Sequence, residues 1–390
     1  MAVNTMGIQD AYALIAELHL QATGRKVLTP VNTVDFISVA QATLANGYEP
    51  VLNAISQVIG RTLVAVRPYD RKFKGLETSA ERWGGIIRKL SFADRDPISN
   101  PSFTLTEGAA VDQFVVRKPI VLETRYVGSD IWQGQYTITT KQLELAFSGP
   151  EEFARFMSGL MTHFANEREQ WLEEMARITL ANFMGALNVL GTGHVIHALT
   201  EYNQATGLSL TSTTVKQPSN YPAFVRWLYA RVNTLSRMMT ERSQLFQQTI
   251  TGYPILRHTP VADQRIFLDA DLLSHMEAEV LADTYHDNYL SMAETEAVSY
   301  WQNIQSPNSI SVQPVYIDAT GAVVTNAANQ AVSNIIGVMF DRDAVGYNIY
   351  QDTLDASPYN AKGQYYNLFN NVRIQYQNDV TEKGILLVLD

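Results

Sequence analysis

The chain has 390 residues, a formal net charge of −10 and no cysteine. The negative charge argues against a nucleic-acid binder that depends on phosphate contacts. The lack of cysteine excludes disulfide scaffolds, thiol chemistry and cysteine-based zinc sites. A hydrophobic content of 46% and a charged content of 17% are those of a folded globular protein, and the length predicts two or three domains.

Nothing in the sequence predicts export or a membrane span. Asp10 and Glu17 interrupt the N-terminal segment, which lacks the basic and apolar regions of a signal peptide. The apolar run Ile385–Leu389 is far shorter than the roughly 20 residues that a membrane helix needs. We therefore expect a soluble protein with no membrane partner.

Residues 1–60 are predicted to be helices and turns. Apolar side chains recur at helical spacing in Ile8–Leu20, and Asp35–Ala45 and Pro50–Ile59 are two further helical segments. Asn46-Gly47 between them is a turn signal. Little in this stretch could form a core alone, so we expect an arm that packs on something else.

Residues 61–147 are predicted to form a long basic excursion built from strands. Thr62–Val66 is a short strand, and residues 61–95 contain nine Lys or Arg against four Asp or Glu. Phe114–Glu123 and Tyr136–Phe147 also have strand patterns, the second with alternating apolar side chains. A two-stranded ribbon is marginally stable alone in water. We therefore expect it to lie on another surface, either of its own subunit or of a neighbour.

The longest helical pattern is Gly149–Leu187, which keeps its apolar residues on one stripe. Pro150 suits the first helical position, and Glu151 and Glu152 place negative charge in the first turn. A helix of this length is about 55 Å long. It is predicted to run along a flat or elongated subunit.

The following residues predict a layered α/β region. Ala198–Asn220 is predicted to be a loop rich in Thr, Ser and Asn, and Ala223–Gln247 a helix. Ile266–Leu268 is predicted to be a buried strand that leads directly into a helix ending near Asp283, capped by Asp269 or Asp271. A strand that feeds a helix so directly indicates an α/β layer.

The last third of the chain is predicted to be mostly strands. Ser309–Ile317 and Ile335–Phe340 are strand candidates, with a turn at Thr320-Gly321 between them. Val372–Tyr376 alternates apolar and polar side chains, and Ile385–Leu389 is a buried run.

The strongest candidate for a chemical site is the set His275, Glu279, Asp283 and His286, whose spacing places all four on one helical face. The alternative is a solvated acidic face, because residues 263–300 contain nine acidic residues and one basic residue. That charge favours attraction of a basic partner over a metal cage.

Two further candidates have structural explanations. His194 and His197 follow Gly191 and Gly193 after a helix, which favours a helix terminator over a phosphate loop. Asp341, Arg342 and Asp343 could be a carboxylate pair for acid–base chemistry, but a turn with local ion pairs is favoured. Since no established catalytic motif is present, we predict no catalytic, cofactor-binding or metal-binding residue and no enzyme activity.

The order of elements, together with IIGVMFDRDAVGYNIY (335–350) and NVRIQYQNDVTEKGILLVLD (371–390), resembles the major capsid proteins of tailed bacteriophages. The resemblance implies an α+β protein with the Hong Kong 97-like fold. It implies an N-terminal arm (1–60), an extended β loop with flanking strands (61–147), a peripheral domain with a long spine helix (148–190), an axial α/β domain (191–345) and closing strands of both domains (346–390).

The resemblance further implies a function. The chain is expected to self-assemble, as pentamers and hexamers, into an icosahedral head shell that encloses double-stranded DNA without sequence-specific binding. Expected partners are portal, scaffolding and decoration proteins, and the expected location is the virion, with assembly in the host cytoplasm. The alternatives are an encapsulin-like compartment shell and a metal-dependent enzyme built on His275, Glu279, Asp283 and His286.

The resemblance also implies roles for single residues. The apolar stripe of the spine helix, with Phe164 and Trp171, should pack on a sheet formed partly by Val372–Tyr376. The face with Glu167, Arg168 and Glu174 should point to the shell surface or a neighbour. Basic residues of the excursion are expected to contact acidic surface of a neighbouring subunit, such as residues 263–300: Arg67, Arg71, Lys72, Lys74, Arg82, Arg88 and Lys89.

Overall fold

A computed structural model describes residues 8–27, 29–45, 50–51, 71–78, 86–127, 130–281 and 294–390. The chain divides into two compact units. Unit 1 comprises Met1–Gly84, Ser129–Met175 and Asn348–Gln375, and unit 2 comprises Gly85–Gly128, Ala176–Tyr347 and Tyr376–Asp390. Among the described residues, no helix has the length and apolar character that crossing a membrane requires.

Helices and strands are mixed along the chain, and the described elements after residue 281 are all strands. The helices are α1 (Ile8–Thr23), α2 (Thr33–Leu44), α3 (Thr140–Ala146), α4 (Pro150–Leu190), α5 (Ala198–Thr206), α6 (Tyr221–Thr240) and α7 (Ala270–Leu281). The strands are β1 (Ile86–Phe92), β2 (Val121–Val127), β3 (Asp130–Thr139), β4 (Val195–His197), β5 (Gln264–Asp269), β6 (Glu294–Val298), β7 (Ile310–Val312), β8 (Tyr316–Ile317), β9 (Val323–Val324), β10 (Gln330–Val332), β11 (Ile335–Asp341), β12 (Val345–Ala356), β13 (Tyr365–Asn378) and β14 (Gly384–Val388).

The first two predicted helices are confirmed as α1 and α2. The side chain of Asn32 caps α2 by accepting a hydrogen bond from the backbone N–H of Asp35 at 2.8 Å. Residues 50–51 are helical, but most of the predicted helix Pro50–Ile59 and the whole predicted strand Thr62–Val66 lie outside the described residues.

Helices α1 and α2 belong to the core of unit 1. The ring of Phe36 in α2 lies 6.1 Å from that of Tyr12 in α1 and 5.7 Å from that of Phe153 in α4. The same core includes Ile138 of β3 and Leu368 of β13. The predicted arm therefore packs on the helix and sheet of its own unit.

Unit 1 has a three-stranded sheet in the order β12-β13-β3. β3 pairs antiparallel with β13, from Thr139 opposite Tyr365 to Asp130 opposite Ile374. The predicted long helix is confirmed as the 41-residue α4, and its apolar stripe contacts this sheet: the Phe164 ring lies 4.1 Å from that of Tyr136 in β3.

The predicted strand Tyr136–Phe147 is wrong beyond Thr139, where helix α3 begins. Thr139 and Gln142 form a capping box, in which each side chain bonds the backbone N–H of the other residue. Helix α3 places Leu143, Ala146 and Phe147 in the core of unit 1, so the apolar spacing is helical.

Unit 2 is built on a five-stranded sheet in the order β4-β14-β11-β5-β6. β4 runs parallel to β14 and β5 parallel to β6, whereas β11 is antiparallel to both of its neighbours. One face packs on α5, α6 and α7 through residues such as Ile266 and Leu387. On the other face, Phe183 of α4 contacts Phe340 of β11 with ring centroids 5.7 Å apart.

Gly337 has a specific place in this sheet. The register of β11 against β14 shifts between Ile335 and Gly337, which is a β-bulge. A Cβ atom at Gly337 would lie 2.6 Å from Leu268 Cδ2 and 2.9 Å from the carbonyl oxygen of Phe267. Glycine is therefore required for close approach of β5 at this bulge.

Two other predictions are corrected. The predicted loop Ala198–Asn220 begins with helix α5, which ends at Gly207 in the left-handed conformation (φ 71°). The predicted strand Phe114–Glu123 is a strand only from Val121, because β2 is Val121–Val127.

The predicted strand Ile266–Leu268 and the helix after it are confirmed. Asp269 is the cap of this helix, accepting hydrogen bonds from the N–H groups of Asp271 and Leu272 at 3.1 Å.

Candidate assembly surface

A two-stranded ribbon, formed by β1 and β2, projects a long loop from unit 2. The strands pair antiparallel, from Ile86 opposite Val127 to Phe92 opposite Val121. Side chains alternate between two faces. The face with Lys89 and Ser91 is the inner face, which contacts unit 2, and the face with Arg88, Leu90 and Phe92 is the outer face, which is exposed.

Polar contacts hold the inner face on unit 2. The ammonium of Lys89 forms ion pairs with Asp379, at 2.5 Å, and with Glu382. The guanidinium of Arg257 donates a hydrogen bond of 2.8 Å to Ser91 Oγ and lies 3.1 Å from Glu382.

Asp94, just beyond β1, continues this attachment. Its carboxylate accepts a hydrogen bond of 2.7 Å from the N–H of Leu256 and pairs with Arg242. Its backbone N–H donates to the carbonyl of Pro254 at 2.6 Å. The ribbon therefore rests on the rest of unit 2 at its inner face and at the end from which the loop leaves.

The loop between the strands has the opposite character, since every residue from 95 to 121 is exposed. Phe103 is fully exposed, and Phe114 and Val116 are 80% and 78% exposed. Other large apolar side chains of the same segment are also exposed: Ile98, Leu105, Val111, Val115, Ile120 and Val121. Folded proteins rarely leave so much contiguous apolar surface in water unless it is an interaction site.

The charge of this exposed segment is balanced. Residues 95–121 contain three basic residues (Arg95, Arg117 and Lys118) and three acidic residues (Asp96, Glu107 and Asp112). The basic character of the predicted excursion therefore ends where the loop begins. The loop offers a partner apolar side chains instead of a net positive charge.

The basic residues proposed as contacts to a neighbour have different locations. Arg71 is buried, and its guanidinium pairs with Glu169 and Glu77 of the same chain. Lys89 is bound on the inner face of the ribbon by Asp379 and Glu382. Both cations therefore form ion pairs within the subunit.

The other five candidates are exposed or lie outside the described residues. Lys72 and Lys74 are exposed, as is Arg88, which pairs with Glu123 of β2 at 2.6 Å. Arg67 and Arg82 lie outside the described residues. Contact of the seven candidates with a neighbouring subunit stays a prediction.

The candidate metal ligands are only partly described. Asp283 and His286 lie outside the described residues. His275 Nε2 lies 3.9 Å from Asp271, and its ring meets that of Tyr221 edge-on at 4.8 Å. Glu279 pairs with Arg226 at 3.4 Å. In the part of the chain that the structure describes, no three His, Asp or Glu side chains converge as metal ligands.

The other candidate sites form structural contacts. Asp341 accepts hydrogen bonds from Thr259 Oγ1 at 2.6 Å and from the N–H of Asp343 at 2.9 Å, so it organises the turn after β11.

His194 is buried beside β14, with Nδ1 3.3 Å from the carbonyl oxygen of Gly384. Burial lowers the pKa of His194, and the glycines at 191 and 193 have φ of 66° and 90° after the end of α4.

The most exposed loop residues were not singled out from the sequence. Their signal is a run of apolar residues, Phe114-Val115-Val116, in a segment without helical spacing and flanked by Pro97, Pro101 and Pro119. Proline confines such a run to irregular or edge structure. The buried acids Asp379 and Glu382 have no such signal, because a charged turn between two strands is normally exposed.

Comparison with known proteins identifies the fold and the family. A model of the Phi29-like phage major capsid protein family matches residues 19–385. No curated protein matches the chain. A chain in the capsid structure of Staphylococcus phage Andhra matches with a TM-score of 0.52 and 10% identity, over 82% of this chain and 84% of that chain.

A second solved structure, of the head fiber and inner core protein gp22 of native bacteriophage P68, contains a chain that matches with a TM-score of 0.56. The identity is 11%, and the match covers 82% of this chain and 85% of that chain. At such identities the likeness shows the fold alone, and it confirms the predicted Hong Kong 97-like capsid fold. The family match adds the role: the chain belongs to the Phi29-like phage major capsid protein family and is a structural protein of a multi-copy capsid shell in the virion.

Proposed function

We propose that the subunit forms pentamers and hexamers of an icosahedral phage head, in which the loop 95–121 lies on a neighbouring copy of the chain. The observation that carries this proposal is the exposure of every residue of the loop, with Phe103, Phe114 and Val116 almost entirely in water. Burial of apolar surface contributes about 25 cal/mol per Å², so covering these side chains is a strong driving force for association.

The outer face of the ribbon extends this surface. Leu90 and Phe92 are exposed beside Val121, and the ion pairs of Glu123 with Arg88 and Arg125 lie at the other end. An apolar area bordered by charges is typical of a protein interface. Lys72, Lys74 and Arg88 are proposed to meet the acidic surface of a neighbour's residues 263–300, where exposed pairs set register and specificity.

The other expected partners follow from this role. We propose that the shell assembles in the host cytoplasm with portal and scaffolding proteins, and that decoration proteins bind its exterior. The packaged double-stranded DNA is enclosed without sequence-specific contacts. The formal charge of −10 supports this, since a negative subunit does not hold DNA through phosphate contacts. A shell role of this kind requires no catalytic residue.

The test is a charge introduced into the loop. The double variant Phe114→Asp/Val116→Asp should keep the fold, because both side chains are exposed, and should fail to form shells. Electron microscopy and sedimentation velocity report assembly, and circular dichroism reports folding, with the chain expressed beside its scaffolding partner.

The matched control is Val323→Asp, which changes a side chain that is 63% exposed on β9, far along the chain from the loop. The control should assemble as the wild type does. Shells of normal yield and shape from the loop variant would contradict the proposal.

A further inference from the structure

The inner face of the ribbon is held by charges. Lys89 and Ser91 of β1 contact unit 2 through ion pairs and a hydrogen bond, and the side chains of Asp379, Glu382 and Arg257 complete the cluster. We call these four charged residues, Lys89, Arg257, Asp379 and Glu382, the charge cluster. Two cations and two anions make it neutral as a whole.

The cluster is shielded from water, so the pairing of its positive and negative charges affects stability. Asp379 and Glu382 are buried, and the side chain of Lys89 is only 19% exposed. Removing one partner of a buried ion pair leaves an uncompensated charge in a poorly solvated place, which is far more costly than losing an exposed pair. Each charge of the cluster is therefore needed as long as the others are present.

The pKa shifts agree with this coupling. Burial alone would raise the pKa of Asp379, but the attraction of Lys89 and hydrogen bonds outweigh it and lower the pKa. Burial raises the pKa of Glu382 despite Lys89 and Arg257. Burial and the Asp379 carboxylate also raise the pKa of Tyr126, on the inner face of β2.

The neighbouring charged groups form separate contacts. Lys383 points elsewhere, donating to the carbonyl of Glu241 and to Ser243 Oγ at 3.0 Å. Arg242 pairs with Asp94 at the loop end of the ribbon. An open cavity of about 540 Å³ borders the cluster and is lined by Arg242, Arg257 and Glu382 among others, which gives solvent a path to its edge.

We infer that the charge cluster is an electrostatic latch, which fixes strands β1 and β2 in one orientation on the rest of unit 2 and releases these strands when one charge is removed. Among the described side chains of the inner face, Leu122 lies beside Ile250 and Ile255, and Tyr126 lies beside Asp379. Since Lys89 is held by two buried carboxylates, loss of its charge should loosen the two strands while the five-stranded sheet stays folded.

The latch is tested on the unassembled full-length subunit by hydrogen exchange measured by mass spectrometry. In Lys89→Met, the backbone amides of Ile86–Phe92 and Val121–Val127 should exchange faster by about tenfold or more, with unchanged exchange in β5, β11 and β14. Arg125→Met is the matched control, because it removes an exposed cation from the outer face of the same ribbon.

A second variant distinguishes release of the ribbon from general unfolding caused by an unpaired buried charge. Lys89→Met/Asp379→Asn removes the ion pair without leaving a buried charge, and asparagine at 379 can still accept the hydrogen bonds that Thr381 donates at 2.9 and 2.6 Å. The ribbon should again exchange faster than in the control. Exchange that stays at the control level in this variant, or that rises equally in the ribbon and the five-stranded sheet, overturns the latch.

The orientation of the ribbon can be measured directly. The chain lacks cysteine, so Leu90→Cys and Leu245→Cys provide two exposed sites in unit 2 for spin labels. The distance distribution between them should be narrow with Lys89 present and broad in Lys89→Met. An unchanged distribution contradicts the release of the ribbon.

The consequence of the latch for shell formation rests on the proposed function of the loop. A ribbon fixed in one orientation presents the loop ready for a neighbour, so Lys89→Met should slow assembly. Hydrogen exchange in the unassembled subunit tests the latch alone. The loop variant Phe114→Asp/Val116→Asp tests the assembly surface alone, so failure of either proposal is separately visible.

Discussion

Arg71 and Glu169 form a buried ion pair across 98 residues of sequence: Nη1 of Arg71 lies 3.1 and 3.0 Å from the two carboxylate oxygens of Glu169. Their side chains are 2% and 4% exposed. The pair fixes the segment 71–78 on α4, together with the buried side chains of Phe73 and Leu76.

Removing this cation should destabilise unit 1 strongly. Arg71→Met leaves the Glu169 carboxylate buried without its main counterion, which costs about 3–5 kcal/mol in comparable cases. Urea unfolding followed by circular dichroism measures the loss. Arg155→Met is the control, since Arg155 is 74% exposed and pairs only at the surface of α4 with Glu152, and it should change stability by less than about 0.5 kcal/mol. Equal effects of the two variants would contradict a structural role for the pair.

The contact between Gly134 and Trp171 predicts a second effect. A Cβ atom at Gly134 of β3 would lie 2.3 Å from Cη2 of the Trp171 ring, so Gly134→Ala must displace the indole. Overpacking of this kind costs about 1–3 kcal/mol. The change should appear both in unfolding and in the tryptophan fluorescence of the folded subunit.

Gly159 provides the comparison for this variant. A Cβ atom at Gly159, within α4, would meet no atom within 4 Å. Gly159→Ala should therefore stabilise the helix by up to about 1 kcal/mol, because glycine is unfavourable in helix interiors. An unaffected Gly134→Ala would show that the packing around Trp171 is looser than described, and a destabilised Gly159→Ala would show that residue 159 is not in open space.

His194 predicts a dependence of stability on pH. Burial lowers its pKa below the ordinary value of 6.5, so the unfolded chain takes up a proton at a higher pH than the folded chain. The contribution of neutral His194 to the stability of unit 2 is therefore fully present above pH 6.5 and is lost as the pH falls from 6.5 through the lowered pKa.

Denaturation midpoints between pH 7.5 and 5.5 measure this loss. His194→Gln should flatten the pH dependence, whereas His197→Gln, at an exposed residue three positions along the chain, should keep it. The same slope in His194→Gln as in the wild type would assign the effect to another group.

Helix α4 gives a prediction that separates folding from assembly. Phe164 is buried against the tilted ring of Tyr136, so Phe164→Asp places a charge in the core of unit 1 and should prevent folding. Arg168 is partly exposed and lies 2.8 Å from Asp352. Arg168→Met should keep the soluble subunit and disturb assembly at most. A folded Phe164→Asp subunit would show that α4 does not pack as described.

The sequence predicted what depends on local periodicity. Helix α4 was expected over Gly149–Leu187 and lies at Pro150–Leu190, because its apolar stripe is long and its start is marked by proline and two glutamates. The strand and helix around Asp269 were predicted for the same reason, with a buried apolar strand next to a capping residue.

Helix α3 shows where periodicity misled. Leu143, Leu145 and Phe147 alternate as in a strand, but Leu143, Ala146 and Phe147 are the residues in the core, and Leu145 is exposed. The signal that decides between the two patterns is the capping box of Thr139 and Gln142. A short segment can fit both the two-residue period of a strand and the 3.6-residue period of a helix, and here the capping box at its start indicates the helix.

The charge cluster could not be predicted in the same way. Asp379 and Glu382 lie in a turn between two strands, a place where charges are ordinarily solvated. Their burial depends on Lys89, which is 290 residues away in sequence, and no local pattern reports a pairing at that separation. The excursion was correctly expected to need another surface, and the structure shows unit 2 as the surface for its inner face.

The position of β14 in the five-stranded sheet has a consequence for synthesis of the protein. This strand, Gly384–Val388, lies between β4 and β11, so the sheet has a gap at its second position until it is inserted. While the ribosome is still making residues before 384, the backbone N–H and C=O groups on the facing edges of β4 and β11 have no strand to pair with. Nascent chains are therefore kept from completing unit 2, and a subunit competent to join a shell arises only after translation has passed Val388.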